Sequence, residues 1–401
     1  MDPTFYIGTI LIAGYILGMV AQRMNLPRIV GYIIAGILLN PTTLDILPAD
    51  FIAKSIVANN IALAFITFCI GGSLLASRLK ALGKSILSIT FFEAEFTFVI
   101  LAFGLVFFVP GLNLAQKLPL ALLIAAVGSP TDPTPALAIV KQYKADGNMT
   151  RTILGVSASD DALGIMNFSL AMALAGAIVM GRSYFTFNNT VLLPLAVICL
   201  SVLMGVMFGI ILTFLSRNLK SDESMVTIAL GFVFICFGAS LFLNFDELLS
   251  TMVMGFVFVN LSPKSKTVFS LFEKHFEELV FIVFFVLAGA NLDFTTLSQV
   301  WPVILAFIVL RTIGKFTGAF AGAKISGASK MATKYTGFGL VPLGGIVVGM
   351  ALLAKQVPQF DSFGTILINV TLGAVVVHEL LGPIFVKYAL VRAGEIHPHH
   401  Q

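Results

Sequence analysis

The sequence predicts an all-α integral membrane protein with about thirteen transmembrane helices. Hydrophobic residues make up 58% of the 401 residues and charged residues only 11%, whereas a soluble domain carries about 25% charged residues. The apolar residues fall into separate runs, most of them long enough to cross a bilayer. Lysine and arginine also alternate regularly between successive loops, which is the pattern of a chain that crosses the membrane repeatedly.

Thirteen apolar segments are candidates for spanning the membrane, although the second and ninth are short. They lie near residues 4–22, 29–40, 52–76, 85–109, 119–141, 150–180, 189–215, 224–244, 247–261, 276–292, 299–323, 332–355 and 362–390. The N-terminus has no basic region, so we expect no cleaved signal peptide and a first segment that is retained.

Basic residues predict the orientation of the chain. Loops after odd-numbered segments carry residues such as Arg23, Lys80 and Lys264, whereas loops after even-numbered segments carry mainly aspartates such as Asp45 and Asp293. Because cytoplasmic loops are enriched in lysine and arginine, we expect the N-terminus outside and the C-terminus in the cytoplasm. We expect the protein in the plasma membrane.

No cofactor, resident metal or nucleic-acid partner is predicted. Cys69, Cys199 and Cys236 lie in apolar runs without metal-binding or pairing patterns. The net charge of +4 is spread over loops and forms no basic patch. The tail contains His397, His399 and His400, which we interpret as part of a flexible solvated end rather than a metal site.

A compact set of ionisable residues lies inside predicted membrane segments, where charge is costly and marks function. Glu93 and Glu95 are in segment four, Asp132 in segment five, Asp160 and Asp161 in segment six, and Arg311 and Lys315 in segment eleven.

Segment five has three prolines between residues 130 and 135. Since proline removes a backbone donor and clashes with the preceding turn, we predict two half-helices joined by an extended stretch, residues 129–135. Segment twelve has a weaker break at Pro342, followed by Gly344 and Gly345. The two segments run in opposite directions, and paired breaks in inverted halves point to the binding site of a transporter.

Two adjacent carboxylates in a membrane segment cannot both remain uncompensated anions. We predict that Asp160 pairs with Lys315, which leaves Asp161 free to exchange a proton for a metal ion. Arg311 lies four residues before Lys315, on the same helical face, and is expected to neutralise a glutamate of segment four. A purely structural ion pair is the alternative for the aspartates and the favoured role for the glutamates.

The broken segment five, the SDDALG stretch of segment six and the IGKFTGAF stretch of segment eleven together resemble the two-aspartate sodium/proton antiporters of the cation:proton antiporter superfamily. The resemblance covers nearly all of the chain. It implies that Asp161 is the principal cation and proton carrier and that Asp160 pairs with Lys315. The pattern Thr131-Asp132-Pro133 is more similar to that of the electroneutral exchangers of the same superfamily. The resemblance therefore does not determine how many protons are exchanged for each cation.

The resemblance also implies a core with two crossed broken helices, built from inverted repeats, and a separate dimerisation domain. The dimerisation domain would comprise residues 1–80 and 183–295, and the core residues 81–182 and 296–391. Residues 392–401 would form a cytoplasmic tail. A homodimer is therefore expected.

These features predict a secondary active transporter, and no enzyme, that exchanges a monovalent cation for protons across the lipid bilayer by alternating access. Na⁺ is the favoured cation, with Li⁺ and K⁺ as alternatives. Thr131, Asp132 and the carbonyl groups of the break would supply oxygen ligands beside Asp161. Ser157 and Ser159 would add hydroxyl ligands.

Three other functions compete with this one. An intramembrane aspartyl protease would use Asp132 and Asp161 as a dyad, but Asp160 and Lys315 would hold a carboxylate ionised, and the expected Gly-x-Gly-Asp motif is absent. An organic-anion transporter needs cations at its site, whereas this site is rich in carboxylates. A sensor or channel would use the ion site without coupled transport.

Overall fold

The computed structural model describes residues 2–24, 26–77, 83–109, 111–181, 192–217, 219 and 221–396, with only the backbone for Lys141. The histidines of the tail, His397, His399 and His400, lie outside the described residues. Within these ranges every regular element is helical, as predicted. The chain divides into two compact units, which consist of residues 1–79 with 186–291 and residues 80–185 with 292–401.

The helices are numbered in chain order. They are α1 Pro3–Arg23, α2 Arg28–Leu39, α3 Ala49–Lys54, α4 Ile56–Ser73, α5 Lys84–Leu105, α6 Leu114–Gly128, α7 Pro133–Tyr143, α8 Asn148–Met180, α9 Leu193–Ser216, α10 Asp222–Phe242, α11 Glu247–Leu261, α12 Ser265–His275, α13 Glu277–Ala290, α14 Phe294–Ile325, α15 Lys330–Gly339, α16 Gly345–Gln356 and α17 Asp361–Arg392. The first unit contains α1–α4 and α9–α13, and the second contains α5–α8 and α14–α17.

The helices have the length and composition of a multi-pass membrane protein. Nine segments in the described part of the chain are long and apolar enough to cross a bilayer, and three shorter apolar helices accompany them. One helix, α12, was not predicted. It is amphipathic, with Val268 and Phe272 buried and Lys266 and Lys274 exposed, so its mixed composition conceals it from a search for apolar runs.

Small residues allow close helix packing in the first unit. Gly36 of α2 faces Gly289 of α13, and a Cβ atom on Gly289 would lie 3.1 Å from the Cα atom of Gly36. Gly71 of α4 similarly meets the backbone of α11. Thr67 and Thr251 hydrogen-bond between these two helices, with hydroxyl oxygens 2.6 Å apart. Small residues and hydroxyl bonds of this kind hold helices together where lipid provides no hydrophobic driving force.

A glycine seam joins α5 and α14 in the second unit. Gly314, Gly318 and Gly322 follow one another at intervals of four residues on α14. A Cβ atom on Gly318 would lie 2.5 Å from the Cα atom of Glu93, so only glycine permits this approach. The seam therefore brings the Glu93 side chain within reach of Lys315, which also lies on α14.

Both predicted helix breaks are present in the second unit. The first lies between α6 and α7, and the second between α15 and α16. The predicted stretch 129–135 was too long, because α7 begins at Pro133. A proline fits the first turn of a helix, where the backbone N–H groups have no partner within the helix in any case. The stretch between α6 and α7 is therefore residues 129–132.

Candidate functional site

Arg311 joins the two helix breaks. Its side chain is fully buried and donates four hydrogen bonds, all to backbone carbonyl groups. The acceptors are Gly128 at 2.8 Å and Pro130 at 2.7 Å in the first break, and Val341 at 2.5 Å and Pro342 at 3.0 Å in the second. A planar guanidinium with fixed N–H directions suits this task, and carbonyls freed by a broken helix require such donors.

The expected pairing of Arg311 with a glutamate of segment four is wrong. No carboxylate of the described residues lies within ion-pair distance of Arg311. The physical reason is that the carbonyls of the two breaks occupy its donors. Glu93 is instead bound by Lys315, with 2.5 Å between Nζ and Oε2.

Lys315 is the centre of a fully buried polar cluster. Besides Glu93, its Nζ atom donates to the Ser129 carbonyl at 2.5 Å and to the Thr131 hydroxyl at 2.8 Å. Asp160 lies slightly further away, with its Oδ2 atom 3.4 Å from Nζ. Lys315 thus contacts Asp160 as expected, but it serves two carboxylates at once.

Asp132 lies where two half-helices begin. Its Oδ1 atom accepts a hydrogen bond of 2.7 Å from the backbone N–H of Thr134 and so caps α7. Its own N–H donates to the Pro342 carbonyl at 3.3 Å. Gly344 is the N-cap residue of α16 and adjoins the Asp132 carboxyl. A Cβ atom on Gly344 would collide with the Asp132 side chain. Both helix N-termini carry positive partial charge, which stabilises Asp132 as an anion.

Asp161 differs from Asp160 and Asp132 in its contacts. Among the residues described, it has no hydrogen-bond or ion-pair partner, and its charged neighbours are Asp160, Asp132 and Lys315. It is 7% exposed and Asp132 is 8% exposed, whereas Glu93, Asp160 and Lys315 are at 0%. Asp161 and Asp132 are therefore the two acidic groups of this cluster that keep some exposed surface.

The hydroxyl residues named from the sequence differ in their positions. Ser157 lies one helical turn before Asp161, on the same face, and its buried Oγ atom has no partner in the described structure. Ser159 is turned away, and its hydroxyl donates to the Gly155 carbonyl at 2.8 Å. Thr131 lies inside the cluster, but its hydroxyl is bound by Lys315.

Glu95 does not join the ion-pair cluster. It is only half-buried, and its carboxyl interacts with Asn167 rather than with Lys315. On a helix, residues two positions apart point to different faces, so the seam that directs Glu93 inwards directs Glu95 elsewhere. Among the described residues, no cationic side chain forms an ion pair with Glu95.

Two buried ionisable residues of α17 were missed by the sequence analysis. His378 is 1% exposed and its Nδ1 atom lies 2.8 Å from the Ala374 carbonyl oxygen. Glu379 is fully buried, with Asp132 and Arg311 as its charged neighbours. Both lie in the last apolar segment, and their intramembrane position was the signal that could have identified them.

The site consists of two broken helices, which Arg311 links by hydrogen bonds, beside a cluster of buried carboxylates. This combination is typical of ion-coupled secondary transporters. Residues 7–391 match the family described as sodium/hydrogen exchanger, transmembrane. The chain belongs to this sodium/hydrogen exchanger family.

Curated relatives and solved structures agree with this assignment. The chain is 25% identical to the Na⁺/H⁺–K⁺ antiporter GerN of Bacillus cereus over 392 residues, which covers 94% of this chain and 95% of the relative. It is also 25% identical to a Na⁺/H⁺ antiporter of Enterococcus hirae over 255 residues, 59% of this chain and 60% of the relative. The fold is similar to that of the sodium proton antiporter MjNhaP1 of Methanocaldococcus jannaschii, with a TM-score of 0.80, 19% identity and coverage of 97% of this chain and 98% of that chain.

Proposed function

We propose that this protein is a secondary active transporter that exchanges a monovalent cation for protons, with Asp161 binding the two in turn. The observation that carries the proposal is the contrast between the two adjacent aspartates. Asp160 is 0% exposed and lies beside Lys315, whereas Asp161 is 7% exposed and has no hydrogen-bond or ion-pair partner among the described residues. A carboxylate without a protein counter-charge requires either a proton or a metal ion.

The surroundings of Asp161 supply the oxygen ligands that hard cations prefer. Asp132 is the second accessible carboxylate, and Ser157 offers an unengaged hydroxyl. Thr131 supports the site through its bond to Lys315 rather than as an immediate ligand. Na⁺ is the proposed cation, since the relatives are named for it, and K⁺ is the first alternative because one relative is also named for K⁺.

The two units are proposed to have different roles. All the described Asp, Glu, His, Lys and Arg residues that are buried lie in the second unit, together with both helix breaks. This unit would be the ion-carrying core, with residues 81–182 and 296–391 as its halves. The first unit would form the dimer contact and the fixed frame of alternating access. The N-terminus would lie outside the plasma membrane and the C-terminus in the cytoplasm.

The charge of the site favours a cation over an organic anion. Five carboxyl and two cationic side chains are buried in the described part of the second unit. Half-helix N-termini, which would attract an anionic substrate, already face Asp132. We therefore propose transport rather than catalysis, with no prosthetic group.

The test is exchange in liposomes. Purified protein is reconstituted with a pH-sensitive dye inside, and Na⁺, Li⁺ or K⁺ is added outside, with and without a charge-shunting ionophore. We expect cation-driven proton movement in the wild type and none in Asp161→Asn, because an amide cannot alternate between a proton and a metal ion. Asp146→Asn is a matched control at an exposed position. Exchange in Asp161→Asn at the wild-type rate would exclude Asp161 as the carrier.

A further inference from the structure

Glu379 is a buried carboxyl group that the proposed exchange reaction does not use. It is 0% exposed, and neither Oε1 nor Oε2 has a hydrogen-bond partner among the described residues. Gly382 lies one turn further along α17 and packs on Pro342. A Cβ atom on Gly382 would lie 2.8 Å from the Cγ atom of Pro342. This face of α17 therefore lies against the break between α15 and α16. A deeply buried carboxyl without any donor must be neutralised by a bound ion.

The charges of the core identify the residues that need such an ion. The two buried cations, Lys315 and Arg311, offset two of the five buried carboxyl charges, and Lys315 contacts Glu93 and Asp160 directly. Asp132 faces two helix N-termini, each equivalent to roughly half a positive charge. Two of the five buried carboxyls are then left without a protein counter-charge.

Asp161 and Glu379 are the two carboxyls in this position. Asp161 is the accessible carboxyl to which the exchange of cation and proton is assigned. Glu379 is sealed, and Arg311, the nearest cationic group, is engaged with four carbonyls. The small size and mobility of a proton make it the ion that fits a sealed carboxyl.

We propose that Glu379 is a second proton-binding residue of the exchange site and that its proton competes with the transported cation. This inference rests on the proposed function. When Glu379 loses its proton, its negative charge adds to that of Asp132, which is a charged neighbour of both Asp161 and Glu379. The deprotonated residue therefore strengthens cation binding, and the protonated residue weakens it.

The groups that face Glu379 allow both of its states. Arg311 of α14 stabilises the anion, and Asp132 of α7 opposes it. His378 precedes it on α17, with one ring nitrogen at the Ala374 carbonyl and the ring edge-on to Phe307. Helix α16, which packs against α17, has no ionisable residue before Lys355. Arg311 and Asp132 thus act on the Glu379 carboxyl in opposite directions.

A permanently protonated, purely structural Glu379 is the competing interpretation, and glutamine distinguishes the two. Glutamine has the shape and neutrality of protonated glutamate. If Glu379 never releases its proton, Glu379→Gln will bind cations as the wild type does at every pH. If Glu379 exchanges its proton, the variant loses one pH-dependent step.

The experiment measures the dissociation constant for Na⁺ of the purified protein from pH 6 to pH 9. One competing proton changes this constant by at most about tenfold per pH unit, and two change it by up to about a hundredfold. We expect more than tenfold per unit for the wild type, and no more than tenfold for Glu379→Gln, with weaker Na⁺ binding at high pH. Asp361→Asn, an exposed carboxyl at the start of the same helix, should match the wild type.

Two results would overturn the inference. One is a wild-type dependence of tenfold per unit or less, and the other is identical behaviour of Glu379→Gln and wild type. Should Glu379→Gln fail to fold, the wild-type measurement still decides, and Glu379→Asp must retain the steeper dependence. If the proposed function itself is wrong, the result differs from both of these: Na⁺ binding by the wild type will then not depend on Asp161.

Discussion

Replacing Lys315 by glutamine should strongly destabilise the second unit. The ammonium group contacts four oxygen atoms, at 2.5 Å from Glu93, 2.5 Å from the Ser129 carbonyl, 2.8 Å from Thr131 and 3.4 Å from Asp160. Glutamine is too short and lacks the charge, so both carboxylates lose their cation. Removing one partner of a buried ion pair costs about 3–5 kcal/mol.

Thermal unfolding in detergent measures this loss. For a unit of this size, 1 kcal/mol corresponds to roughly 2–4 °C, so Lys315→Gln should lower the melting temperature by about 6–20 °C. Lys54→Gln is the matched control, since Lys54 pairs with Asp50 on the exposed surface and such pairs contribute about 0–1 kcal/mol. The double variant Glu93→Gln with Lys315→Gln should regain part of the loss, because one uncompensated charge disappears.

The reasoning is refuted if Lys315→Gln melts within 2 °C of the control. That result would mean that water or protons already neutralise the carboxylates, and that Lys315 does not hold the cluster together. A double variant less stable than Lys315→Gln alone would also contradict the account, since it would show that Glu93 is stabilised by something other than Lys315.

Three further predictions concern other parts of the second unit. Arg311→Lys should unfold at lower temperature despite its retained charge, because an ammonium cannot donate to four carbonyls in two breaks; a melting curve like that of the wild type would contradict this. Glu395→Ala should cost about 0.5–2 kcal/mol in chemical unfolding, since its carboxylate caps α8 through the N–H groups of Met149 and Thr150; an unchanged midpoint would exclude the cap. Hydrogen bonds, first that from the Thr295 hydroxyl, hold the pKa of Asp293 below its usual range. The stability difference between the wild type and Asp293→Asn should therefore be complete at neutral pH and shrink as the pH falls below about 3.9. A stability difference that grows on acidification would refute the assignment.

The membrane class and the two helix breaks could be predicted because their signals are local. Proline and glycine act on the chain wherever they occur, so Pro133 and Pro342 indicate breaks without knowledge of the fold. The exact bounds could not be predicted in the same way. Pro133 begins a helix rather than interrupting one, because a proline in the first turn needs no hydrogen-bond donor.

The partners in the charged cluster depend on packing between distant segments. The Gly314–Gly318–Gly322 seam determines which glutamate faces Lys315. The sequence alone does not show which helix packs against this seam. A positive charge inside the membrane predicts an ion pair, so Arg311 is expected beside a glutamate. In the structure its guanidinium group donates hydrogen bonds to backbone carbonyls instead. Glu379 lies outside the two broken segments, and the sequence alone does not show that α17 packs against one of them.

Asp161 is proposed to bind either a cation or a proton, so cation binding should displace a proton that can be measured. Na⁺ is added to purified protein in weakly buffered detergent solution, and the pH is followed with a dye. We expect that the wild type releases protons in proportion to the protein present, that choline releases none, and that Asp161→Asn releases none with Na⁺. Equal release from wild type and Asp161→Asn, or no release from the wild type over the pH range in which it binds Na⁺, would contradict the account.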